Sequence, residues 1–203
     1  MKHLLIVRHG NTFRPGETPL RVGCRTDLPL VEEDRGLNAG RILKERGYIP
    51  HRIIAAPLQR TVGTARLILR AMNLDLPVET TPIFSEIDYG EDEGKPESDV
   101  VARLGKEAIE RWDKEAIVPA GWQADPELLA KTWRDFAAAV KEDETVLVVS
   151  SNGVIRFAPA ILPPDDYEQF VKTHSLKVTT GGVSVFCYEN GFWSVAEWNL
   201  KPV

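Results

Sequence analysis

The stretch LLIVRHG at positions 4–10 decides how this chain folds, because an apolar run turns there abruptly into charged and small residues. Four consecutive aliphatic residues, of which Ile6 and Val7 are β-branched, are typical of a strand that is buried on both faces of a sheet. Arg8, His9 and Gly10 follow directly. The sequence therefore predicts a buried strand that carries a polar turn to the carboxyl edge of its sheet.

Strands and helices are predicted to alternate along most of the remaining chain. Short apolar runs predict strands at 52–56, 77–81 and 145–149. Amphipathic spacing and turn residues predict helices at 37–46, 58–72, 98–115, 126–141, 153–161 and 165–172. Asp125 is expected to cap the helix at 126–141, with Pro126 at its first position.

The chain closes with two apolar runs, at 183–188 and 193–198, that flank an Asn-Gly turn and predict an antiparallel hairpin. The whole pattern predicts an α/β fold with three layers, α/β/α, and a mostly parallel sheet that ends in the hairpin. We expect one domain over residues 1–203, with a helical insert around 97–141.

The composition is that of an ordinary globular protein, with 43% hydrophobic and 27% charged residues and a formal net charge of −5. This acidic excess argues against nucleic acid and anionic membranes as partners, since both usually need a basic face. No apolar run approaches the about 18–20 residues that span a bilayer, and no secretory signal is recognisable, so we expect a cytoplasmic protein. Cys24 and Cys187 are isolated, which favours reduced thiols over a single bridge between them.

Four polar clusters are expected to meet at the carboxyl edge of the sheet, where ligands collect in open α/β folds. They lie at 8–10, 59–60, 85–90 and 150–153. Together they bring two arginines, a histidine, a carboxylate and several small polar residues to one edge, which is a composition suited to a small anion.

The same clusters resemble, in chain order, the motifs of the histidine phosphatase superfamily, also called the phosphoglycerate mutase-like family. LIVRHGNT at 5–12 resembles the family's signature, and GCRTDLPL at 23–30 fits its next loop. APLQRTVGTA at 56–65 resembles the segment with the second phosphate-binding arginine, and EIDYGEDEG at 86–94 resembles the segment with the acid catalyst. VLVVS at 146–150 leads to the place of a second active-site histidine. The resemblance implies a phosphoglycerate mutase-like fold.

The resemblance also implies a phosphoryl transfer in which His9 attacks phosphorus and becomes a phosphohistidine. Arg8 and Arg60 would hold the phosphoryl oxygens and, by like-charge repulsion, keep the ring neutral. Glu86 would protonate the leaving alcohol and then deprotonate the attacking water. None of these steps requires a metal or another cofactor.

Further substrate contacts are expected from the turn after the first strand and from the loop that follows. The backbone near Gly10 and the side chains of Asn11 and Thr12 can supply anion contacts. Arg25 is a candidate for a second anionic group of the substrate. These residues complete the expected binding set, together with Ser151 and Asn152.

Two positions depart from the family pattern. Ser151 stands where the second histidine is expected, and Pro15 stands where many members have a phosphate-binding asparagine. Loss of one transition-state donor costs about 10²–10³ in rate. Ser151 or Asn152 is expected to contact phosphate without a positive charge, and His174 is the alternative source of a second histidine.

The sequence thus favours a metal-independent, histidine acid-type phosphatase, with a small phosphorylated metabolite or inorganic phosphate as its expected partner. One alternative is a regulatory protein that binds phospholigands with weakened catalysis, and a less favoured one is a phosphoglycerate mutase-type phosphotransferase. A dinucleotide-binding dehydrogenase is disfavoured because no G-x-G-x-x-G follows a strand. The oligomeric state stays open, with a homodimer among the alternatives.

Overall fold

A six-stranded mixed sheet forms the centre of the protein, for which the computed structural model describes residues 1–201. Its strands are β1 (Lys2–Arg8), β2 (Arg52–Ala55), β3 (Val78–Thr80), β4 (Thr145–Ser150), β5 (Val183–Glu189) and β6 (Phe192–Leu200). They lie in the order β3-β2-β4-β1-β5-β6, with the first four parallel and the last two antiparallel. The predicted α/β class with a mostly parallel sheet is confirmed.

Helices cover both faces of this sheet and bury two separate apolar cores. The helices are α1 (Asp34–Glu45), α2 (Gln59–Met72), α3 (Glu97–Leu104), α4 (Lys106–Glu115), α5 (Pro126–Ala139), α6 (Asn152–Ile155) and α7 (Pro164–Thr173). Leu5 and Val7 pack into the core under α1 and α2, whereas Leu4 and Ile6 pack into the core under the other five helices. Alternate side chains of β1 thus enter opposite cores, which is why the strand is continuously apolar.

The register between the two central strands determines where the site forms. β1 and β4 pair in parallel, with Val7 opposite Val149 and Arg8 opposite Ser150. The His9 amide donates to the Ser150 carbonyl over 3.1 Å. The polar residues after β1 and β4 therefore start at the same level of the sheet, side by side.

The structure differs from the sequence prediction in the segment 98–115, which is two helices and not one. Gly105 separates α3 from α4 with a φ of +83°, a left-handed value that glycine adopts without a Cβ clash. The predicted cap of α5 is confirmed, because Asp125 Oδ1 accepts from the amides of Glu127 and Leu128 at 3.0 and 3.1 Å. The predicted helix at 153–161 is α6 followed by a 3₁₀ turn.

The predicted hairpin is also present. Asn190 and Gly191 join β5 to β6 with φ values of +54° and +91°, as a tight primed turn requires. Cys24 and Cys187 are free, half-buried thiols. Within residues 1–201 no helix has both the length and the apolar character needed to cross a membrane.

Candidate active site

A cavity of about 430 Å³ opens where the carboxyl ends of β1 and β4 meet. Six residues that the sequence singled out as candidates line this cavity. They come from the end of β1 and the turn after it, from the loop before α3 and from the start of α6. These residues are Arg8, His9, Asn11, Thr12, Glu86 and Asn152. The expected meeting of polar clusters at one sheet edge is thus what the fold produces.

His9 is buried, with 7% of its surface exposed, and its ring has one defined tautomer. Its Nδ1 lies 2.7 Å from the Gly10 carbonyl oxygen, which can only accept a hydrogen bond. Nδ1 therefore carries the proton, and in the neutral ring Nε2 keeps its lone pair. Burial, followed by the nearby charges of Arg8 and Arg60, holds the pKa of His9 well below its usual value of 6.5.

The depressed pKa of His9 predicts a pH-dependent stability. The unfolded chain binds a proton at this ring below pH 6.5 while the folded protein resists it, so the free energy of unfolding should fall as pH drops through 6.5. Chemical denaturation between pH 5 and 8 measures this slope, and His9→Gln should make it shallower. Equal slopes for the two proteins would contradict the assignment.

Two arginines flank His9 and are held in place by main-chain carbonyls. Arg8 Nη1 donates to the Val178 carbonyl at 2.5 Å. Arg60 is fully buried, and its Nη1 and Nη2 donate to the carbonyls of Thr26 and Gly23 at 2.7 and 3.2 Å. Burial lowers the pKa of both guanidiniums, and the Nε–H of each has no partner in the protein. Both arginines thus keep an unused buried donor.

Glu86 is fixed in the cavity wall by three donors. Its Oε1 accepts from the Ile87 amide at 2.9 Å, and its Oε2 accepts from the Tyr89 hydroxyl at 3.1 Å and the Gly153 amide at 3.2 Å. Burial raises the pKa of Tyr89, so its hydroxyl retains the proton that it donates. The carboxylate is therefore oriented jointly by its own loop and by α6.

A methyl group at Gly153 should dislodge this carboxylate. The added Cβ of Gly153→Ala would lie 2.2 Å from Glu86 Oε1, so the carboxylate would have to leave the position in which its three donors hold it. If Glu86 is the acid, kcat should fall by about 10²-fold, as with Glu86→Gln. Steady-state kinetics with thermal denaturation checks this. A loss of activity that merely follows a loss of stability would contradict it.

The backbone around Gly10 does not serve the role expected from the sequence. The Gly10 amide donates to Thr64 Oγ1 at 2.9 Å, and the Asn11 amide donates to Glu32 Oε1 at 3.1 Å. Both N–H groups are therefore occupied, which corrects the expectation that they face an anion. Asn11 Oδ1 accepts from Thr180 Oγ1 at 2.7 Å, so its amide NH₂ remains as a donor on the cavity side.

Ser151 and Asn152 have different positions. Ser151 is fully buried, its Oγ has no partner, and it does not reach the cavity surface. Asn152 lines the cavity, but its Oδ1 accepts from the Val178 amide at 2.8 Å. His174 is exposed and stacks on Phe170 with ring centroids 4.3 Å apart, outside the cavity. It does not supply the second histidine.

Arg25 also lies outside the cavity. Its guanidinium pairs with Asp88 Oδ1 at 3.1 Å and with Glu93 Oε2 at 3.4 Å, and it donates to the Gly90 carbonyl at 2.7 Å. These contacts join the 23–30 loop to the 86–94 loop. Arg25 is therefore occupied within the protein and does not contribute the anion contact expected of it.

Several lining residues were not singled out from the sequence. Tyr89 lay inside a recognised segment without an assigned role. Others form two oppositely charged pairs, Arg21 with Glu97 and Lys177 with Asp113. The remaining ones are Phe13, Pro19, Leu20, Val22 and Thr180. The loop that contributes Lys177 and Thr180 contains the run Thr-Thr-Gly-Gly at 179–182, just before β5. This run is the sequence feature from which the loop could have been recognised.

The chain belongs to the histidine phosphatase superfamily (branch 1), whose sequence profile matches residues 4–201. A 2,3-bisphosphoglycerate-dependent phosphoglycerate mutase of Parabacteroides distasonis is 31% identical over 115 residues, 55% of this chain and 46% of that protein. The match thus spans about half the length of that relative. A mutase of the same name from Afipia carboxidovorans is 28% identical over 166 residues, 75% of this chain and 77% of that protein.

Two solved structures share this fold over nearly their full length. A mycobacterial glucosyl-3-phosphoglycerate phosphatase, complexed with VO3, has a TM-score of 0.74 and 20% identity, covering 97% of this chain and 98% of that one. A phosphoserine phosphatase variant from Entamoeba histolytica, in complex with phosphoserine, has a TM-score of 0.71 and 19% identity, covering 98% of both chains. At these identities the likeness concerns the fold.

Proposed function

We propose that this protein is a phosphomonoester hydrolase that cleaves a small phosphorylated metabolite through a phosphohistidine on His9. The observation that carries this proposal is the state of His9: a buried, neutral ring whose Nδ1 proton is committed to Gly10 and whose Nε2 lone pair is available. A histidine nucleophile needs that state, and the flanking charges of Arg8 and Arg60 favour it.

The reaction would proceed in two displacements. In the first, His9 Nε2 forms a bond to phosphorus as the ester P–O bond breaks, and the leaving oxygen takes a proton from Glu86. In the second, Glu86 removes a proton from water, the water oxygen bonds to phosphorus, and the P–N bond breaks to release inorganic phosphate. Phosphoryl transfer has a loose transition state, so charge and positioning do most of the catalysis.

The arginines would stabilise the transferring group in two ways. Arg8 lines the cavity, so its guanidinium would bind phosphoryl oxygens there, and charge-assisted bonds of this kind are about twice as strong as neutral ones. Arg60 is fully buried and does not line the cavity, so it would act through its positive charge. The NH₂ groups of Asn11 and Asn152, with Thr12, add neutral donors. No step calls for a metal ion, so we expect activity to survive chelation by EDTA.

The known relatives support a phosphoryl-transfer chemistry without fixing the reaction. Both structural neighbours named above are phosphatases, whereas the sequence relatives are mutases. A second candidate function, a phospholigand-binding protein with weak catalysis, is favoured by one specific observation. Ser151 puts an uncharged, fully buried hydroxyl where a second histidine was expected.

The test is to trap the intermediate. Wild-type protein is incubated with a panel of ³²P-labelled phosphomonoesters and quenched, and the protein-bound phosphate is assayed for acid lability. We expect an acid-labile, base-stable phosphoprotein that His9→Ala does not form, together with release of inorganic phosphate. Binding of phosphate with neither intermediate nor release would favour the second candidate and overturn the first.

A further inference from the structure

Two ion pairs line the same cavity as His9. Arg21, from the loop after β1, pairs with Glu97 at the start of α3. Lys177 Nζ, from the loop before β5, lies 2.9 Å from Asp113 Oδ2 on α4. Each cation that a substrate's distal end could meet there already has a carboxylate partner.

These pairs are held in place by their surroundings. The Arg21 guanidinium stacks on Tyr89 and Trp122, 5.2 and 4.9 Å from the ring centroids. Its side chain is only 15% exposed. Asp113 is additionally 3.8 Å from Nη1 of the buried Arg156. Their partners Glu97 and Lys177 are 49% and 56% exposed, so each pair joins one largely buried side chain to one at the surface. A substrate that needed a free arginine or a free lysine here would have to break one of these pairs.

The cations that line the cavity are matched in number by carboxylates. The lining has three cations, Arg8, Arg21 and Lys177, and three carboxylates, Glu86, Glu97 and Asp113, so its net charge is zero. Arg21 and Lys177 are held in the two ion pairs, whereas Arg8 donates to a main-chain carbonyl. One phosphate, which carries about −1.5 to −2 at pH 7, would therefore bind Arg8, and a second anionic group would find only paired cations.

We propose that the substrate is the monophosphate of a neutral, polyhydroxylated alcohol, and that the pairs Arg21–Glu97 and Lys177–Asp113 select it over bisphosphates and phosphorylated acids. This inference rests on the proposed function of the His9 site. A hydroxyl group donates to a carboxylate and accepts from a cation at once, so it binds such a pair without breaking it. Phe13, Leu20 and Val22 line the same cavity and offer apolar contact to the carbon skeleton.

A substrate whose leaving group is zwitterionic or anionic fits these two ion pairs less well than a neutral alcohol does. The ammonium and carboxylate of a phosphorylated amino acid would each have to replace one member of an existing pair. A second phosphate or a carboxylate could bind Arg21 or Lys177 only by displacing Glu97 or Asp113, and it would then meet the displaced carboxylate as a like charge, which is a common means of rejection. The pairs thus exclude by repulsion as well as attract by hydrogen bonding.

The test uses four three-carbon ligands that differ mainly in charge: glycerol 3-phosphate, phosphoserine, 3-phosphoglycerate and 2,3-bisphosphoglycerate. Each is titrated calorimetrically into the full-length His9→Ala protein, which cannot form the phosphohistidine. We expect glycerol 3-phosphate to bind about 10-fold or more tightly than 3-phosphoglycerate or 2,3-bisphosphoglycerate, with phosphoserine between them. Because nothing turns over, the outcome is independent of the intermediate-trapping experiment.

A matched pair of second substitutions assigns the effect to the ion pair. Glu97→Gln frees Arg21, so the preference for glycerol 3-phosphate over 3-phosphoglycerate should shrink about 5–10-fold. Glu107→Gln, on the exposed side of α4, removes the same charge away from the cavity and should leave that preference unchanged. Equal preferences in the two variants would overturn the proposal. So would equal or tighter binding of either anionic ligand, or no binding of glycerol 3-phosphate at millimolar concentration.

Discussion

Replacing His9 with alanine is expected to lower kcat/KM for 4-nitrophenyl phosphate by about 10⁴-fold or more. The substitution removes the nucleophile that splits hydrolysis into two displacements, and water would then have to attack phosphorus directly. Arg8 would still bind the phosphoryl group and Arg60 would still supply its buried positive charge, so KM should change far less than kcat. Steady-state kinetics that resolves kcat from KM measures the effect.

Two further variants make this result specific to the ring nitrogen. His9→Asn keeps an amide donor for the Gly10 carbonyl, so it preserves the local fold while it removes the nucleophile, and it should be as inactive as His9→Ala. His174→Ala removes an exposed histidine that lies outside the cavity and should retain full activity. More than a tenth of wild-type activity in either His9 variant would exclude a phosphohistidine mechanism.

Ser151→His is expected to raise kcat by about 10²-fold. Ser151 follows β4 next to the start of α6, and its Oγ makes no hydrogen bond, so replacing the hydroxyl breaks none. Ser151 itself does not reach the cavity, but a histidine side chain is longer, and an imidazolium that reached the transferring phosphoryl group would add one charged donor, worth about 10²–10³ in rate. The larger ring should also cost about 1–3 kcal/mol of stability through overpacking.

Ser151→Asn distinguishes the effect of the added positive charge from the effect of a larger side chain. Its side chain occupies part of the same space and donates hydrogen bonds without a positive charge, so its kcat should rise much less than that of Ser151→His. Rate measurements on both variants, with urea denaturation to record stability, decide the matter. Equal rates for Ser151→His and the wild type would mean that the missing histidine does not limit this enzyme.

The fold could be predicted because its elements are set by local patterns. The apolar run of β1, the Asp125 cap and the Asn190–Gly191 turn each specify backbone structure within a few residues, and each is present. The sequence analysis missed the break between α3 and α4 because the helical spacing of apolar residues continues across Gly105. The positive φ of Gly105, which ends α3, does not change that spacing. A cytoplasmic location stays a prediction.

The site was only partly predictable because its finer contacts join distant segments. Arg8, His9 and Glu86 stand in recognisable motifs at the sheet edge, and they line the cavity. Lys177 and Asp113, by contrast, are 64 residues apart in the chain, and no local sequence pattern predicts that they pair. The same reason explains the Gly10 amide, whose partner Thr64 lies on α2.

The anchoring of Arg60 has a consequence for how the 23–30 loop can vary. Arg60 holds the 23–30 loop through the carbonyls of Gly23 and Thr26, and main-chain carbonyls are present whatever the side chains are. The contacts of the buried guanidinium are therefore independent of which side chains the loop carries, although exchange of Arg25 would lose its ion pairs with Asp88 and Glu93. During evolution the loop can acquire new surface chemistry while the buried charge beside His9 keeps its main-chain anchors.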